Sequence, residues 1–519
     1  MFVSILWHYY GLEFAEQFST LFGKYYIGQH PTPKANSYAV LYFEFSRIDT
    51  STAESTFEGF LSNVRLGVKG FLERYTQLEK EEKAEIISLS SPSEILKALF
   101  EEFRKHPIYL LIDEYDHFAN EILAFNFEHF SEFVSRNGFV RKFYEAIKEA
   151  TGRGIVKRLF ATGVTPITLD SLTSGFNIAS NLSTHHYFHD MMEFTTKEVE
   201  TLLKQVAPKL SDDECQRVLE NMKKWYDGYL FSRKAKTRLY NPNMVLYFLK
   251  EYAYENEYPD KLIDVNIASD YGKLRNLFRL GSIEHKHKIL EELIETGVIE
   301  GILTEQFSFE KEFSKDDFIS MLFYLGLVSL YQAGLSRLKF SFPNYVVKEL
   351  YLQFFIDSLK TQHQLDFEVD DVRDKLELLA QQNKVAPFVS LIEQALHNLS
   401  NRDFVKFDEK YIKALFIGFA SLSNLYFLKS EPEVEQKYPD LMFLYRPPFF
   451  PNYQFLFELK YLKKAGRRLL KKTHKEAEDQ IKGYLSFEEI KQLQNLKSWV
   501  IVFVGEKAEV VEEYKINDL

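Results

Sequence analysis

The chain has 519 residues, of which 45% are hydrophobic and 27% charged, which is the balance of an ordinary globular protein. Its 64 Lys and Arg against 75 Asp and Glu give a net charge of −11, which excludes a general nucleic-acid coat but not a local basic patch. The single cysteine, Cys215, excludes an internal disulfide and a cysteine-based zinc site and fits a reducing, cytoplasmic setting. Because the apolar runs are shorter than the ~18 residues that cross a bilayer, we expect no membrane span.

The first part of the chain, up to about residue 194, alternates strand patterns with helical patterns. Strand patterns cover residues 38–46, 108–116 and 158–163. Helical patterns cover residues 93–105 and 138–150, and Ser93 is the expected N-cap of the first. Buried apolar strands that alternate with helices predict a parallel α/β sheet.

The middle and the C-terminal parts have different patterns. Residues 195 to about 364 are mostly helical, beginning with Thr195 or Thr196 as the expected N-cap. An acidic stretch starts at residue 366, and we place a domain boundary before it. Beyond it we expect a helix from 407 to about 428, then strands near 441–445, 454–459 and 499–504. The chain is therefore divided into residues 1–194, 195–365 and 366–519.

Two neighbouring strand patterns in the first part end in polar residues. The apolar run at 109–112 leads into Asp113 and Glu114, which looks like a Walker B element. An Asp at this edge can hold Mg²⁺ through water, and the next Glu can orient a hydrolytic water. The following strand ends at Thr162, where a polar side chain can sense a γ-phosphate. The alternative is that these acids only solvate a turn.

A nucleotide site of this kind also needs a phosphate-binding loop. Its signature, G-x-x-x-x-G-K-[ST], supplies backbone N–H donors, a lysine and a hydroxyl that binds Mg²⁺. The sequence does not contain this signature. We therefore expect no ATP turnover by this polypeptide.

A second group of polar residues lies near the C-terminus. Asp440 is followed after eighteen positions by Glu458, and Lys460 comes two residues later. Glu458 and Lys460 point to one face of a strand, and Asp440 precedes a strand that can pair beside it. Two carboxylates can bind Mg²⁺ or Mn²⁺ for phosphodiester cleavage, while a lysine holds the water or offsets charge in the transition state.

A basic segment follows this group directly. Eight Lys and Arg and no acid lie between residues 460 and 475. Four of them recur at helical spacing and predict one basic stripe: Lys464, Arg467, Lys471 and Lys475. Such a stripe suits a phosphate backbone, which is bound independently of sequence and in a salt-sensitive way. The alternative is an ordinary solvated helix face.

The chain resembles the bacterial AAA-ATPase-like family, whose members carry a C-terminal PD-(D/E)XK nuclease-like domain. The resemblance rests on the segments FVSILWHYY, YLLIDEYD, FATGVTP, WYDGYLF and YNPNMVLYFL, and on the spacing of Asp440, Glu458 and Lys460. It implies an AAA-ATPase-like core at 1–194, a helical lid and connector at 195–365, and a nuclease-like domain at 366–519. In the family, a first strand and the phosphate loop precede the FVS helix. We therefore expect a P-loop NTPase-like sheet that lacks its first strand, with ATP as a cofactor of full-length relatives.

The resemblance also implies roles for single residues. Asp113 and Glu114 match the Walker B positions, and Thr162 matches the sensor position. Glu409 matches an acid on the first helix of the nuclease-like domain. Gln480 and Tyr484 form the Q-x-x-x-Y pattern of RecB-type nucleases.

Three functions are compatible with these patterns. The first is a Mg²⁺-dependent nuclease coupled to a degenerate AAA-type ATPase module. The second is a nucleic-acid-binding protein that uses the basic stripe without cleavage, and the third is an inactive, truncated remnant of an ATPase. The expected partner is nucleic acid, with DNA as the first expectation, whereas the choice between DNA and RNA, the oligomeric state and the pathway stay open.

Overall fold

The computed structural model describes most of the chain. The residues described are 1–103, 106–117, 138–165, 178–264, 283–304, 307, 314–334, 336–363, 367–400, 408–430, 432, 434 and 437–515. Three features expected from the sequence touch residues outside this set. They are the end of the helix at 93–105, the domain boundary at 365–366, and the start of the helix at 407.

The first part of the chain is a parallel sheet covered by helices. Its strands are β1 (Ala39–Glu44), β2 (Ile108–Asp113) and β3 (Val156–Ala161). Its helices are α1 (Phe2–Tyr10), α2 (Phe18–Phe22), α3 (Tyr26–Gln29), α4 (Ala53–Tyr75), α5 (Lys80–Ser88), α6 (Pro92–Glu102) and α7 (Phe139–Gly152). The strand order is β1-β2-β3, and the pairs Glu44–Asp113 and Ile112–Ala161 align the carboxyl ends at one edge. The expected parallel sheet is confirmed.

Local signals explain where the helices begin. The side chain of Ser91 accepts a hydrogen bond from the backbone of Glu94, so Ser91 and not Ser93 is the N-cap of α6. Pro92 fits the first helical position because it has no N–H to leave unpaired there. On the sheet, the rings of Phe45 and Phe60 stack with centroids 4.5 Å apart and fix α4 against the strands.

The middle part combines helices with short strands. Its helices are α8 (Thr196–Val206), α9 (Asp212–Tyr226), α10 (Pro242–Glu255), α11 (Ile283–Thr296), α12 (Lys315–Tyr324) and α13 (Tyr345–His363). Its strands are β4 (Asp227–Tyr229), β5 (Leu239–Tyr240), β6 (Val298–Gly301), β7 (Ser329–Ala333) and β8 (Leu338–Ser341). Strands β4 and β5 pair with each other, and β6, β8 and β7 form a second antiparallel sheet.

The expectation that this part is mostly helical is therefore only partly correct, since it also contains short strands. Thr195 is the N-cap of α8, as expected, and it forms a capping box with Glu198. The strands were missed because each is at most five residues long, too short for a period to be read. Gly297 and Gly326 have positive φ values of 72° and 70° and end α11 and α12 just before β6 and β7.

The C-terminal part contains a mixed sheet. Its helices are α14 (Val369–Gln382), α15 (Val385–Ser400), α16 (Glu409–Ser421), α17 (Leu470–Leu485) and α18 (Glu488–Lys491). Its strands are β9 (Tyr426–Ser430), β10 (Leu441–Tyr445), β11 (Gln454–Leu462), β12 (Leu496–Val504) and β13 (Lys507–Tyr514). The order is β13-β12-β11-β10-β9, in which β11 and β12 are parallel and the other pairs antiparallel.

One expectation for this part is wrong. The helix expected to run to about residue 428 ends at Ser421, and residues 426–430 form β9 instead. Asn424 adopts a left-handed conformation with φ of 54°, which ends the helical path, and the aromatic residues after it favour a strand. The sheet thus has two outer strands, β9 and β13, that the sequence patterns did not predict.

Buried polar contacts connect the middle part to this sheet. The hydroxyl of Tyr345 on α13 donates to the carbonyl of Tyr426 at 3.1 Å and accepts from the backbone of Leu428 at 3.0 Å. Arg446 is 1% exposed, donates to the carbonyl of Asn424, and lies 3.9 Å from Glu349 on α13. Burial raises the pKa of Glu349, and the positive charge of Arg446 opposes this shift. These contacts fix β9 against α13.

No helix among the described residues is both long enough and apolar enough to cross a membrane.

Candidate active site

The register of β10 and β11 determines where Asp440 lies. Leu441 pairs with Phe457, so Asp440, just before β10, is placed beside Glu458 and Leu459. The backbone N–H of Leu459 donates to Oδ2 of Asp440 at 2.8 Å. The Asp440 carboxylate is 9% exposed, and this hydrogen bond holds it at the neighbouring strand.

Glu458 and Lys460 lie on one face of β11, as expected. Nζ of Lys460 donates to Oε1 of Glu458 at 2.7 Å. The same ammonium lies 3.7 Å from Oδ2 of Asp440 and 3.7 Å from Oε1 of Glu409. Glu409 is in the first turn of α16 and is 36% exposed. The structure therefore brings together four of the residues expected at this site: Asp440, Glu458, Lys460 and Glu409.

Lys413 also belongs to this group, and the sequence analysis missed it. It lies one turn after Glu409 on α16, and its side chain is 7% exposed. Its Nζ donates to Oδ1 of Asp440 at 2.8 Å and lies 4.0 Å from Oε1 of Glu409. A signal was present, because Lys413 is the one charged residue in the segment 411–421 and is spaced i, i+4 from Glu409.

The electrostatics of the group reflect its burial. Burial and, second, the negative charge of Asp440 raise the pKa of Glu458 to about 7, although Lys460 opposes this shift. For Lys460, burial lowers the pKa, but the charges of Asp440 and Glu458 outweigh it, so the net pKa is raised. Burial, followed by the charge of Glu458, raises the pKa of Tyr484. The charges of Asp440 and Glu458 thus favour the protonated forms of the groups around them.

One buried oxygen in this group is suited to a cation. Oε2 of Glu458 is buried and has no hydrogen-bond partner among the described residues, an arrangement that is unfavourable for a carboxylate unless another group pairs with it. Carboxylate oxygens are the ligands that Mg²⁺ and Mn²⁺ prefer. The residues present therefore fit a divalent metal ion. Within the described parts of the chain, no three His, Cys, Asp or Glu residues converge as a ready metal site. In this group, Lys413 and Lys460 contact the acids.

Gln480 and Tyr484 differ in their relation to the group. Both lie on α17, and the side chain of Gln480 is exposed, whereas Tyr484 is buried. The hydroxyl of Tyr484 donates to the carbonyl of Tyr438 at 3.2 Å, two residues before Asp440. Tyr484 thus supports the segment that leads into the site. Among the described residues, no hydrogen bond or ion pair connects Gln480 to the acids.

The four basic residues of the expected stripe do not lie on one helix. Lys464 and Arg467 are in a 3₁₀ turn, Lys464–Leu469, whereas Lys471 and Lys475 are in α17. Three of the four pair with acids, since Lys464 lies 2.8 Å from Glu506, Arg467 lies 3.0 Å from Glu509, and Lys475 lies 3.0 Å from Glu478. The stripe is therefore interrupted and partly neutralised, by Glu506 and Glu509 from the β12–β13 hairpin and by Glu478 from α17 itself.

The polar strand ends of the first part do come together. The hydroxyl of Thr162 donates a hydrogen bond to Oδ1 of Asp113 across the edge of β2 and β3. Glu114 follows in a left-handed turn with φ of 53°. Asp116, which the sequence analysis did not single out, is fully buried and accepts hydrogen bonds from the backbone of Val164 and Thr165. Asp116 therefore fixes the loop that follows β3.

A cavity of about 620 Å³ lies next to this edge of the sheet. It is lined by Thr162 and by residues of the segment that precedes α8, including Asn181, His189 and Glu193. His189 is held by the backbone, since its Nδ1 accepts from Phe231 and its Nε2 lies 2.8 Å from the carbonyl of Thr237. Burial raises the pKa of Glu193 to about 7.

Comparison with known families gives a match for the N-terminal sheet and a match for the C-terminal sheet. Residues 1–173 match the model of a predicted AAA-ATPase family, and residues 407–513 match the model of the PD-(D/E)XK nuclease superfamily. No curated protein matches the chain. The chain thus combines an AAA-ATPase-like domain with a PD-(D/E)XK nuclease domain, as the sequence resemblance indicated. A nuclease domain implies a nucleic-acid substrate, and nucleases of this superfamily generally use divalent metal ions such as Mg²⁺.

Glu193 gives a prediction about stability. Because the pKa of Glu193 is raised to about 7 by burial, the folded chain holds this proton more tightly than the unfolded chain, and stability falls as pH rises from 4.5 towards 7. We expect Glu193→Gln to be more stable than the wild type by about 2 kcal/mol at pH 8, and nearly equal to it at pH 4.5. Urea unfolding at both pH values measures this difference. Glu257→Gln at an exposed site is the control, and an equal gain in both variants would contradict the prediction.

Proposed function

We propose that the C-terminal domain is a metal-dependent nuclease that cleaves DNA. The observation that carries the proposal is the convergence of Asp440, Glu458 and Lys460, in which one buried oxygen of Glu458 finds no hydrogen-bond partner in the part of the chain that the structure describes. Two carboxylates and a lysine around one point are the groups that phosphodiester cleavage with a divalent ion requires. The match of residues 407–513 to a nuclease superfamily supports the same function.

Each residue has a separate task in this proposal. Asp440 and Glu458 would hold Mg²⁺ or Mn²⁺, which polarises a phosphoryl oxygen and lowers the pKa of a bound water. Lys460 is already held by Glu458, so its ammonium can orient the attacking water or offset negative charge on the phosphate. Glu409 is partly exposed beside Lys460 and can accept a proton or hold a water at the entrance. Tyr484 positions Asp440 through the carbonyl of Tyr438.

The AAA-ATPase-like domain is proposed to act without ATP turnover in this polypeptide. In support, the sequence has no G-x-x-x-x-G-K-[ST] motif, and the hydroxyl of Thr162 donates its hydrogen bond to Asp113. Asp113, Glu114 and Thr162 would then maintain the sheet edge, with Asp113 as the remaining metal-binding carboxylate. We retain residues 1–194, 195–365 and 366–519 as the proposed division into core, helical connector and nuclease domain.

The proposal for the AAA-ATPase-like domain predicts no catalysed phosphate release from ATP. Without the G-x-x-x-x-G-K-[ST] motif, the γ-phosphate lacks the backbone donors and the lysine that this motif supplies to stabilise its developing charge. Phosphate release by the full chain with ATP and Mg²⁺ should equal the buffer blank. Release that is abolished by Asp113→Asn would contradict the prediction, because it would show that the Walker B position is active.

Substitution of Asp440 tests the nuclease proposal. Asp440→Asn keeps the size of the side chain but removes a metal-binding charge, so we expect cleavage of plasmid and single-stranded DNA to fall by at least about a hundredfold with Mg²⁺ or Mn²⁺. DNA binding, measured by fluorescence anisotropy, should change little. Asp479→Asn, at an exposed site on α17, is the matched control and should cleave normally.

Two outcomes would count against the proposal. Equal cleavage by Asp440→Asn and the wild type would show that Asp440 has no catalytic role. A wild type that binds DNA but cleaves it with neither metal would favour the alternative of a non-catalytic nucleic-acid-binding protein.

The ion pairs of the basic segment predict which residues contact DNA. Arg468 and Lys471 are exposed and have no ion pair within the described residues, whereas Lys464 and Arg467 pair with acids. Each phosphate contact contributes about −0.9 to the slope of log K against log salt concentration. The double variant Arg468→Gln and Lys471→Gln should therefore reduce this slope by about 2. The matched double variant Lys464→Gln and Arg467→Gln should reduce it by less than about 1. Equal slopes for the two double variants would contradict the prediction.

A further inference from the structure

Lys413 has an unusual position for a lysine. It lies in the second turn of α16, where every residue from Tyr411 to Ser421 is buried. An ammonium group at such a position is unfavourable unless opposite charges pair with it. Its partners are the carboxylates of Asp440 at 2.8 Å and Glu409 at 4.0 Å, so the helix directs a fixed positive charge into the proposed active site.

Each oxygen of the Asp440 carboxylate already accepts one hydrogen bond. Oδ2 accepts from the backbone of Leu459 at 2.8 Å, and Oδ1 accepts from Nζ of Lys413 at 2.8 Å. On the neighbouring carboxylate, Oε1 of Glu458 is paired with Lys460, but none of the described residues forms a hydrogen bond to Oε2. The Leu459 contact comes from the backbone of β11 and is fixed by the sheet. Oδ1 is the oxygen whose partner is a side chain that can move away, so a metal ion held by both carboxylates would approach Asp440 where the ammonium of Lys413 lies.

We propose that Lys413 is a built-in competitor for the metal ion, which neutralises Asp440 in the metal-free protein and must be displaced from Oδ1 before the ion binds. This inference rests on the proposed function, in which Asp440 and Glu458 hold the metal. Lys413 keeps the metal-free site compact, since it offsets the repulsion between three acids. It also weakens the affinity of the site for the ion, because the ammonium group and the metal ion are both positively charged and both pair with Asp440.

The alternative is that Lys413 only supports the structure by joining α16 to the start of β10. The two interpretations predict opposite changes in metal affinity when the side chain of Lys413 is removed. If Lys413 only orients Asp440, its removal disorders the carboxylate and weakens metal binding. If Lys413 competes with the metal, its removal tightens metal binding, which damage to the structure does not produce.

Calorimetric titration of the full, metal-stripped chain with Mn²⁺, without nucleic acid, measures this sign. We expect Lys413→Met to bind Mn²⁺ with a Kd at least about tenfold lower than that of the wild type, because a like charge next to the ion is removed. Lys413→Gln should also bind more tightly. This variant keeps a hydrogen-bond donor near Asp440 and covers the case in which Met at this position prevents folding. Lys413→Arg, which keeps the charge, and Lys410→Met, at an exposed position on the same helix, should match the wild type.

The outcomes separate this inference from the proposed function. Unchanged or weaker Mn²⁺ binding by Lys413→Met and Lys413→Gln would overturn the role of Lys413 as a competitor. Adding Asp440→Asn to Lys413→Met should abolish the gain, and persistence of the gain would overturn the assignment to this site. Tighter binding that depends on Asp440, in a chain whose wild type cleaves no DNA, would support the competitor and contradict the nuclease proposal. If neither the wild type nor Lys413→Met binds Mn²⁺, both fail.

Discussion

The pairing of β10 with β11 is the constraint on which the candidate active site depends. This register places Asp440 beside Leu459, whose backbone N–H holds one carboxylate oxygen, and it directs Glu458 and Lys460 to the same face. A slip of one residue would turn Glu458 and Lys460 to the opposite face and separate them from Asp440. The buried apolar neighbours of these residues on both strands oppose such a slip, since the slip would expose them.

The charges of the site are only partly compensated, which makes the site unfavourable for the stability of the fold. Ion pairs of 4.0 Å or less connect three acids and two lysines in a poorly solvated position. An uncompensated charge is strongly unfavourable in such a position. Glu458 shows the remaining imbalance, because one of its oxygens lacks a hydrogen-bond partner within the described ranges and its pKa is raised to about 7. A packed core without these charges would be more stable, and such local conflicts are typical of functional sites.

The sequence predicts the part of this site that depends on local spacing. Asp440, Glu458 and Lys460 follow from the distance between them and from the two-residue period of a strand. Lys413 does not follow from such rules, because a single lysine in an apolar helix is ambiguous until its partner on another strand is known. The ion pairs of Lys464 and Arg467 were missed for the same reason, since their partners are about forty residues away in the chain. In the first part, the parallel sheet was predictable from alternation, whereas its strand order and the short strands of the middle part were not.

The hydrogen bonds between Tyr345 and β9 have a consequence for how the molecule unfolds. The strand β9 pairs with β10 over five residues, and β10 begins directly after Asp440. Because Tyr345 of α13 forms hydrogen bonds to β9, the strand next to Asp440 is connected to α13 through β9. Regions joined by buried hydrogen bonds open together in hydrogen exchange. We therefore expect α13, β9 and β10 to exchange their amide protons as a single cooperative unit, so that loosening of the middle part also releases Asp440 from its neighbours.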